Sequence, residues 1–249
     1  TIATKYRIAQ YDSFRNKEIC RKLSRKTIYD KLESQIRFLK SLNRDDSDNI
    51  ISKLKNYLEI LSEENFENIE KTSAKAYFSY YTSLFDKKYG FDSRNQSFVR
   101  QSKKNATDPI NGLLNYGYSV LAGEICKFVC GFGLDPYYGY MHKSHSGFMA
   151  LVYDVIEPFR WLVESAVYHI VNTSSKQHRL RLMDFAYTRD GSVVLSNKVK
   201  KNFLEKLERI FQKERKYEFK YGAKTSNGLK SLEEITIVKQ YCEKFILSN

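Results

Sequence analysis

The sequence predicts an all-α fold with one small β-hairpin element, on three observations. Only 3 prolines and 11 glycines interrupt 249 residues, too few for a chain of many short strands and turns. Apolar residues recur at helical spacing through most of the chain. Polar clusters carrying capping residues stand where those stripes break. There is no internal repeat and no low-complexity tract. The expected organisation is one helical domain over 1–249, with an N-terminal helical subdomain over 1–64, a core over 65–172 and a basic helical part over 173–249.

In chain order, Ile19, Leu23, Leu32, Ile36 and Leu39 stripe a basic first segment. The stretch NRDDSD from Asn43 ends it and caps a second helix bearing Ile50, Ile51, Leu54, Leu58 and Leu61. A third helix runs from about Phe66 into Tyr81 and carries Glu70 beside Ala74, Tyr77 and Phe78. The polar, basic stretch 86–107 holds Lys87, Lys88, Arg94, Arg100, Lys103 and Lys104 and reads as a loop or mobile segment. Asp108 and Pro109 then open an apolar helix, as cap and first-turn residue, that reaches about Val129. A second apolar helix is expected from about Gly147 to Val171.

Residues from Phe185 to Leu195 alternate weakly around Asp190-Gly191, which reads as a small hairpin. Ser196 can cap a basic helix containing Lys198 and Lys201, and a capping box, Ser231 with Glu234, is expected to open the last helix.

Lys and Arg total 42 against 29 Asp and Glu, a formal charge of +13. That surplus suits an acidic polymer such as nucleic acid, and equally a membrane surface or plain solubility. Mean hydropathy of -0.54 and the lack of a long uncharged apolar run argue against a transmembrane helix. No signal peptide opens the chain. The four cysteines show neither CxxC nor a zinc spacing. Cys126 and Cys130, one helical turn apart, are expected as small buried thiols, and Cys20 and Cys242 are isolated. Reduced thiols in a cytoplasmic protein are the simplest account.

Chemistry concentrates late in the chain. His142, Asp154 and Glu157 offer one imidazole and two carboxylates beside apolar helices. From the residues alone this is either a metal site or a surface histidine with two solvated acids. Asp154 and Glu157, three apart, share one helix face. Glu70, in the acidic run ENFENIE, reads by itself as a solvated helix residue. His145 makes an HxxH with His142, weak as a zinc signal, and is expected exposed or near DNA. Arg160 can pair with Glu157 or Asp154, or reach a phosphate. His169 reads as a core or boundary histidine, and His178 lies in a basic turn with Lys176, Arg179 and Arg181. Asn111 and Asn115, four apart, need hydrogen-bond partners if buried and can brace the site.

The strings DPINGLLNYGY, GLDPYYGYMH and YDVIEPFR, preceded by IEKTSAKAYF from Ile69, closely resemble the signature stretches of the CRISPR-associated Cas1 integrase and endonuclease family. The blocks stand in the family's order and the resemblance covers nearly the whole chain. It implies a catalytic core at 65–172 whose metal is held by Glu70, His142 and Glu157. It also makes Asp154 a further catalytic acid, behind the ligands or as an auxiliary metal contact. Oxygen ligands suit Mg²⁺ or Mn²⁺, and the nitrogen ligand favours Mn²⁺.

The implied reaction is attack by the 3′-OH of a captured DNA fragment, a spacer, on a repeat phosphodiester of a CRISPR array. The DNA is duplex, branched or carries 3′ overhangs, and the basic residues named above, with Arg160, Lys198 and Lys201, are expected to contact it. The family works in the prokaryotic cytoplasm, with the partner protein Cas2 and as a homodimer paired through an N-terminal β domain. Nothing before Tyr6 can be that domain, and the chain starts at Thr1. It is therefore expected to be the helical domain alone and mostly monomeric. Two other classes fit the residues: a non-catalytic nucleic-acid-binding helical module, and a transposase-type relative with the same active site, for which no clear helix-turn-helix is present.

Overall fold

The computed structural model describes residues 2–94, 106–143, 146–175, 179–217 and 230–247. Among these, helices dominate and two antiparallel strand pairs are the β structure.

Helix α1 (Ile2–Arg15) leads into α2 (Lys17–Ser41), with Asn16 as cap accepting from the Glu18 N–H at 2.9 Å. Helix α1 is held partly by Phe14, which packs in the core, and partly by polar bonds that no apolar stripe announces. The Gln10 amide donates to the carbonyls of Asp135 and Tyr138 at 2.9 and 2.7 Å and accepts from the Asp135 N–H at 2.8 Å. A 3-10 turn at Asp45–Ser47 precedes α3 (Asp48–Ile60), and α4 (Phe66–Ser83) follows, both where the apolar spacing predicts them.

Helix α5 (Pro109–Gly131) is the centre of the core. Asp108 caps it by accepting from the Asn111 N–H at 2.8 Å. Ile110, Leu113, Leu114, Leu121 and Ile125 are fully buried on it, each contributing roughly 1.5–3 kcal/mol. Gly117 lets α7 (Arg160–Asn172) approach, since a Cβ there would overlap Val163.

The continuous helix expected from Gly147 to Val171 is instead two helices. Gly147 lies before them with φ 74°. Helix α6 (Ala150–Ile156) passes into a 3-10 turn at Glu157–Phe159 before α7 begins. Pro158 has no N–H for the ladder and its ring crowds the preceding turn, so the axis resets there. Glu157 consequently sits at a corner, packed against α2.

Strands β1 (Ala186–Tyr187) and β2 (Val193–Val194) pair around the expected Asp190-Gly191 turn. Ser196 caps α8 (Asn197–Phe211), accepting from the Val199 N–H at 3.2 Å. The capping box at Ser231 and Glu234 is not formed. Ser231 lies in β4 (Lys230–Glu233), which pairs with β3 (Glu214–Tyr217) in the register Lys216↔Ser231, and its hydroxyl donates to Glu214 at 2.7 Å. Glu234 opens α9 (Glu234–Leu247), but its carboxylate takes a two-pronged bond from Arg215 at 2.6 and 3.0 Å. Strand pairing and a charged partner outcompete a local cap.

The thiols also differ from expectation. Cys130 is exposed and Cys126 half-buried, two free thiols whose sulfurs are in weak hydrogen-bond contact at 3.9 Å, because this i, i+4 pair lies at the edge of the buried face of α5. No helix among the described residues is long and apolar enough to cross a membrane. Arg100, Lys103, Lys104, His145, Lys176 and His178 lie outside the described residues.

Candidate active site

The loop from Phe132 to Lys143 lies against α6 because position 139 is glycine. A Cβ there would overlap the Asp154 carboxylate and crowd Ala150. With that space open, the fully buried Asp154 accepts three consecutive backbone N–H groups, from Tyr140 at 2.7 Å, Met141 at 3.0 Å and His142 at 2.8 Å. Its Oδ1 also holds His142 Nδ1 at 2.6 Å. Asp154, expected behind the ligands or as an auxiliary metal contact, makes four hydrogen bonds that fix the loop and the imidazole, as a residue behind the ligands would. With Nδ1 committed to Asp154, Nε2 is the nitrogen that can bind a cation. The bond to Asp154, working against burial, raises the His142 pKa above its ordinary value.

Glu70 comes from α4 and Glu157 from the turn between α6 and α7, and a residue of α2 joins them. Lys31 Nζ donates to Glu70 Oε1 at 2.7 Å and lies 2.7 Å from Glu157 Oε2. Glu157 Oε1 accepts from Arg160 at 3.0 Å. The contact of Lys31 with Glu157 is a short buried ion pair, so Oε2 faces the ammonium and, among the described residues, no other group. Burial alone would push Glu157 up, but Lys31 and Arg160 pull it down to about 2, so the group is a carboxylate at neutral pH. Burial likewise opposes the Lys31 ammonium, and Glu157 and Glu70 more than offset it.

Behind these groups lies a second buried acid. Glu164 accepts from the Tyr77 hydroxyl at 2.5 Å and the Tyr118 hydroxyl at 2.8 Å, and burial raises its pKa. Arg160 stacks 4.1 Å above the Tyr118 ring, so Glu164, Tyr118, Arg160 and Glu157 form one chain of contacts. A cleft of about 710 Å³ opens over Glu70 and Glu157, with Lys71, Lys75, Arg94 and Arg160 on its walls.

The candidate ligands thus fall into two neighbouring groups. Glu70 and Glu157 converge on Lys31. His142 stands with Asp154, near enough to Glu157 for each to influence the other's charge. Among the described residues no three His, Cys, Asp or Glu side chains are drawn together at metal-holding distance. The donor set still fits a divalent cation: two carboxylates already turned toward one buried positive charge, and an imidazole oriented by Asp154.

Of the basic residues expected at DNA, Arg94 lies on the cleft wall and is held there by polar bonds. Its guanidinium donates to Asn111 Oδ1 and Asn115 Oδ1, both at 2.8 Å, and stacks on Tyr118 at 5.2 Å. The two asparagines therefore brace the cleft wall through Arg94. Arg160 is likewise committed to Glu157 and Tyr118. Lys87 and Lys88 lie on an exposed 3-10 turn, where Lys88 pairs with Asp86 at 2.8 Å. Lys198 lines a separate cleft with Arg179 and Arg181, and Lys201 is exposed on α8. Sequence reasoning missed Lys31, Lys71 and Lys75. The one signal for Lys31 is its place between Ile28 and Leu32, on the apolar side of α2.

A basic helical protein with paired carboxylates and clustered cations around one cleft, and an oriented imidazole nearby, has the side-chain set of proteins that handle phosphodiesters with a divalent cation. Residues 2–209 match the family model described as CRISPR associated protein Cas1, and the chain belongs to that family. A CRISPR-associated endonuclease Cas1 of Methanospirillum hungatei is 34% identical over 146 residues, covering 59% of this chain and 41% of the relative. One from Chlorobaculum tepidum is 28% identical over 172 residues, covering 69% and 48%. The chain thus matches less than half the length of these curated relatives.

Among solved structures, a casposase bound to integration product superposes with a TM-score of 0.75 at 24% identity, covering 98% of this chain and 66% of that one. A Cas1 protein from Thermotoga maritima gives 0.70 at 21%, covering 96% and 70%. These likenesses establish the helical fold.

Proposed function

We propose that this chain is a metal-dependent DNA endonuclease and integrase that inserts captured fragments into a CRISPR array by 3′-OH attack on a phosphodiester. The observation that carries the reading is the convergence of Glu70 and Glu157 from separate elements on one buried cation, beside an imidazole held by Asp154. Glu70, Glu157 and His142 Nε2 would hold the ion, Mn²⁺ or Mg²⁺. When bound, it supplies Lewis-acid polarisation of the phosphoryl oxygen and a template for the attacking and leaving oxygens.

The protein's own groups do the rest. Arg160 and Lys31 keep Glu157 ionised. Asp154 holds the imidazole by Nδ1 and so fixes its orientation. Lys71 and Lys75 on the cleft wall offer positive charge to the phosphates of an entering strand. DNA is therefore the partner inferred for the cleft. A Cas2-type protein is inferred for the assembled particle, in keeping with fold neighbours solved as Cas6-RT-Cas1–Cas2 complexes.

The test is cleavage or disintegration of branched DNA with and without Mn²⁺. Glu157→Gln, which keeps the side chain's shape, is expected to abolish the Mn²⁺-dependent activity. Full activity in that variant, with contaminating nuclease excluded, would overturn the assignment.

A further inference from the structure

Lys31 has a task that the ligand assignment leaves open. Its side chain is 6% exposed, and a lysine this deep in a protein needs partners that repay its lost hydration. It has two, Glu70 Oε1 and Glu157 Oε2, each 2.7 Å from Nζ. Its position is set by the fold. One turn earlier on α2, the Thr27 hydroxyl and the Tyr140 hydroxyl lie 2.6 Å apart, which ties this face of α2 to the loop that carries His142. The ammonium therefore stands between the two carboxylates, in the space that a divalent ion bound to both would need.

Two cations cannot share that space, because at 3–4 Å in a poorly hydrated site their repulsion is large. The stem of Lys31 is flexible, and the cleft beside it has room for the displaced ammonium.

We infer that Lys31 is a resident counter-cation: it holds Glu70 and Glu157 together in the metal-free protein, competes with the metal for them, and swings into the cleft when the metal binds. This rests on the metal reading proposed above. It makes Lys31 a positioning residue that weakens metal binding in exchange for a stable metal-free site. Once displaced, the ammonium faces the cleft that would receive the DNA phosphates.

The experiment measures Mn²⁺ affinity of the whole chain, by calorimetry and by the loss of the free Mn²⁺ resonance. It compares wild type with Lys31→Met, Lys31→Gln and Glu157→Gln, and records thermal midpoints with and without Mn²⁺. Both Lys31 variants are expected to bind Mn²⁺ more tightly, on the order of ten-fold or more. They are also expected to melt earlier than wild type without metal and to gain more from Mn²⁺. Lys31→Gln retains an amide donor for one carboxylate, so it serves if Lys31→Met does not fold without metal.

Lys31 variants that bind no tighter than wild type, while Glu157→Gln loses the site, would overturn the inference and leave the metal reading standing. Mn²⁺ binding that is absent in every protein, or unchanged in Glu157→Gln, would remove the metal reading and this inference with it.

Discussion

Replacing Asp154 with Asn changes one atom of a fully buried side chain and should destabilise the protein more than removing the proposed ligand His142. The carboxylate serves four donors: the N–H groups of Tyr140 and Met141 on Oδ2, and the N–H and Nδ1 of His142 on Oδ1. An asparagine presents one oxygen and one NH₂. Turned one way, the amide leaves the N–H groups of Tyr140 and Met141 without an acceptor. Turned the other way, it strands the His142 N–H and forces Nδ1 into the accepting tautomer, which takes from Nε2 its cation-binding lone pair. Each buried group left unpaired costs about 1–3 kcal/mol, so the variant, with one or two stranded donors, should lose roughly 1–6 kcal/mol. For a chain of this size, that lowers the thermal midpoint by on the order of 10 °C.

His142→Ala removes only the imidazole, which is partly exposed, and should cost no more than about 1 kcal/mol. Differential scanning calorimetry of both variants, paired with the branched-DNA assay, separates the roles. Asp154→Asn should lose stability and Mn²⁺-dependent activity together, whereas His142→Ala should lose activity alone. An Asp154→Asn protein that melts with wild type would refute the reasoning, because it would mean that the three backbone bonds do not hold the loop.

Burial, aided by Lys206 and Lys213, lowers the pKa of His169 from its ordinary 6.5 to about 4. Protonation therefore favours the unfolded chain, and the stability that neutral His169 contributes is full above pH 6.5 and drains away as pH falls toward 4. Thermal melts across that window should show a shallower acid loss in His169→Gln than in wild type; parallel curves would contradict the shift. His142 acts with the opposite sign, since its raised pKa contributes stability below 6.5 that is lost as pH rises through the folded value. DNA binding should rest on phosphate contacts and fall steeply between about 50 and 200 mM salt. An affinity for branched DNA that does not change with salt would count decisively against the basic surface.

The helices were legible wherever burial is one-sided and apolar. The stripe Ile50, Ile51 and Leu54, the Asp108-Pro109 cap and the Asp190-Gly191 turn each carry their signal within a few residues. What escaped was structure set by distant partners. Helix α1 is held in part by Gln10, through groups more than a hundred residues away. Ser231 and Glu234 have the spacing of a cap, but β3 and Arg215 claim them.

The site divides in the same way. The family-like strings point to Glu70, His142 and Glu157, but nothing local says that Lys31 joins two of them, since a lysine in a basic helix reads as solvated. Asp154 was legible as an acid near His142. Its saturation by three backbone N–H groups depends on Gly139 lying against it, a fact of the folded loop.

The central claim is that Glu70, His142 and Glu157 form one cation site. Anomalous scattering from crystals of this protein grown with Mn²⁺ tests it most directly. The account predicts a single strong peak within ligand distance of Glu70, Glu157 and His142 Nε2, roughly 2.0–2.2 Å from each, with Lys31 Nζ moved away and Asp154 still on its backbone donors. A peak bound to Asp154 instead, or no peak between the two glutamates at saturating Mn²⁺, would contradict it.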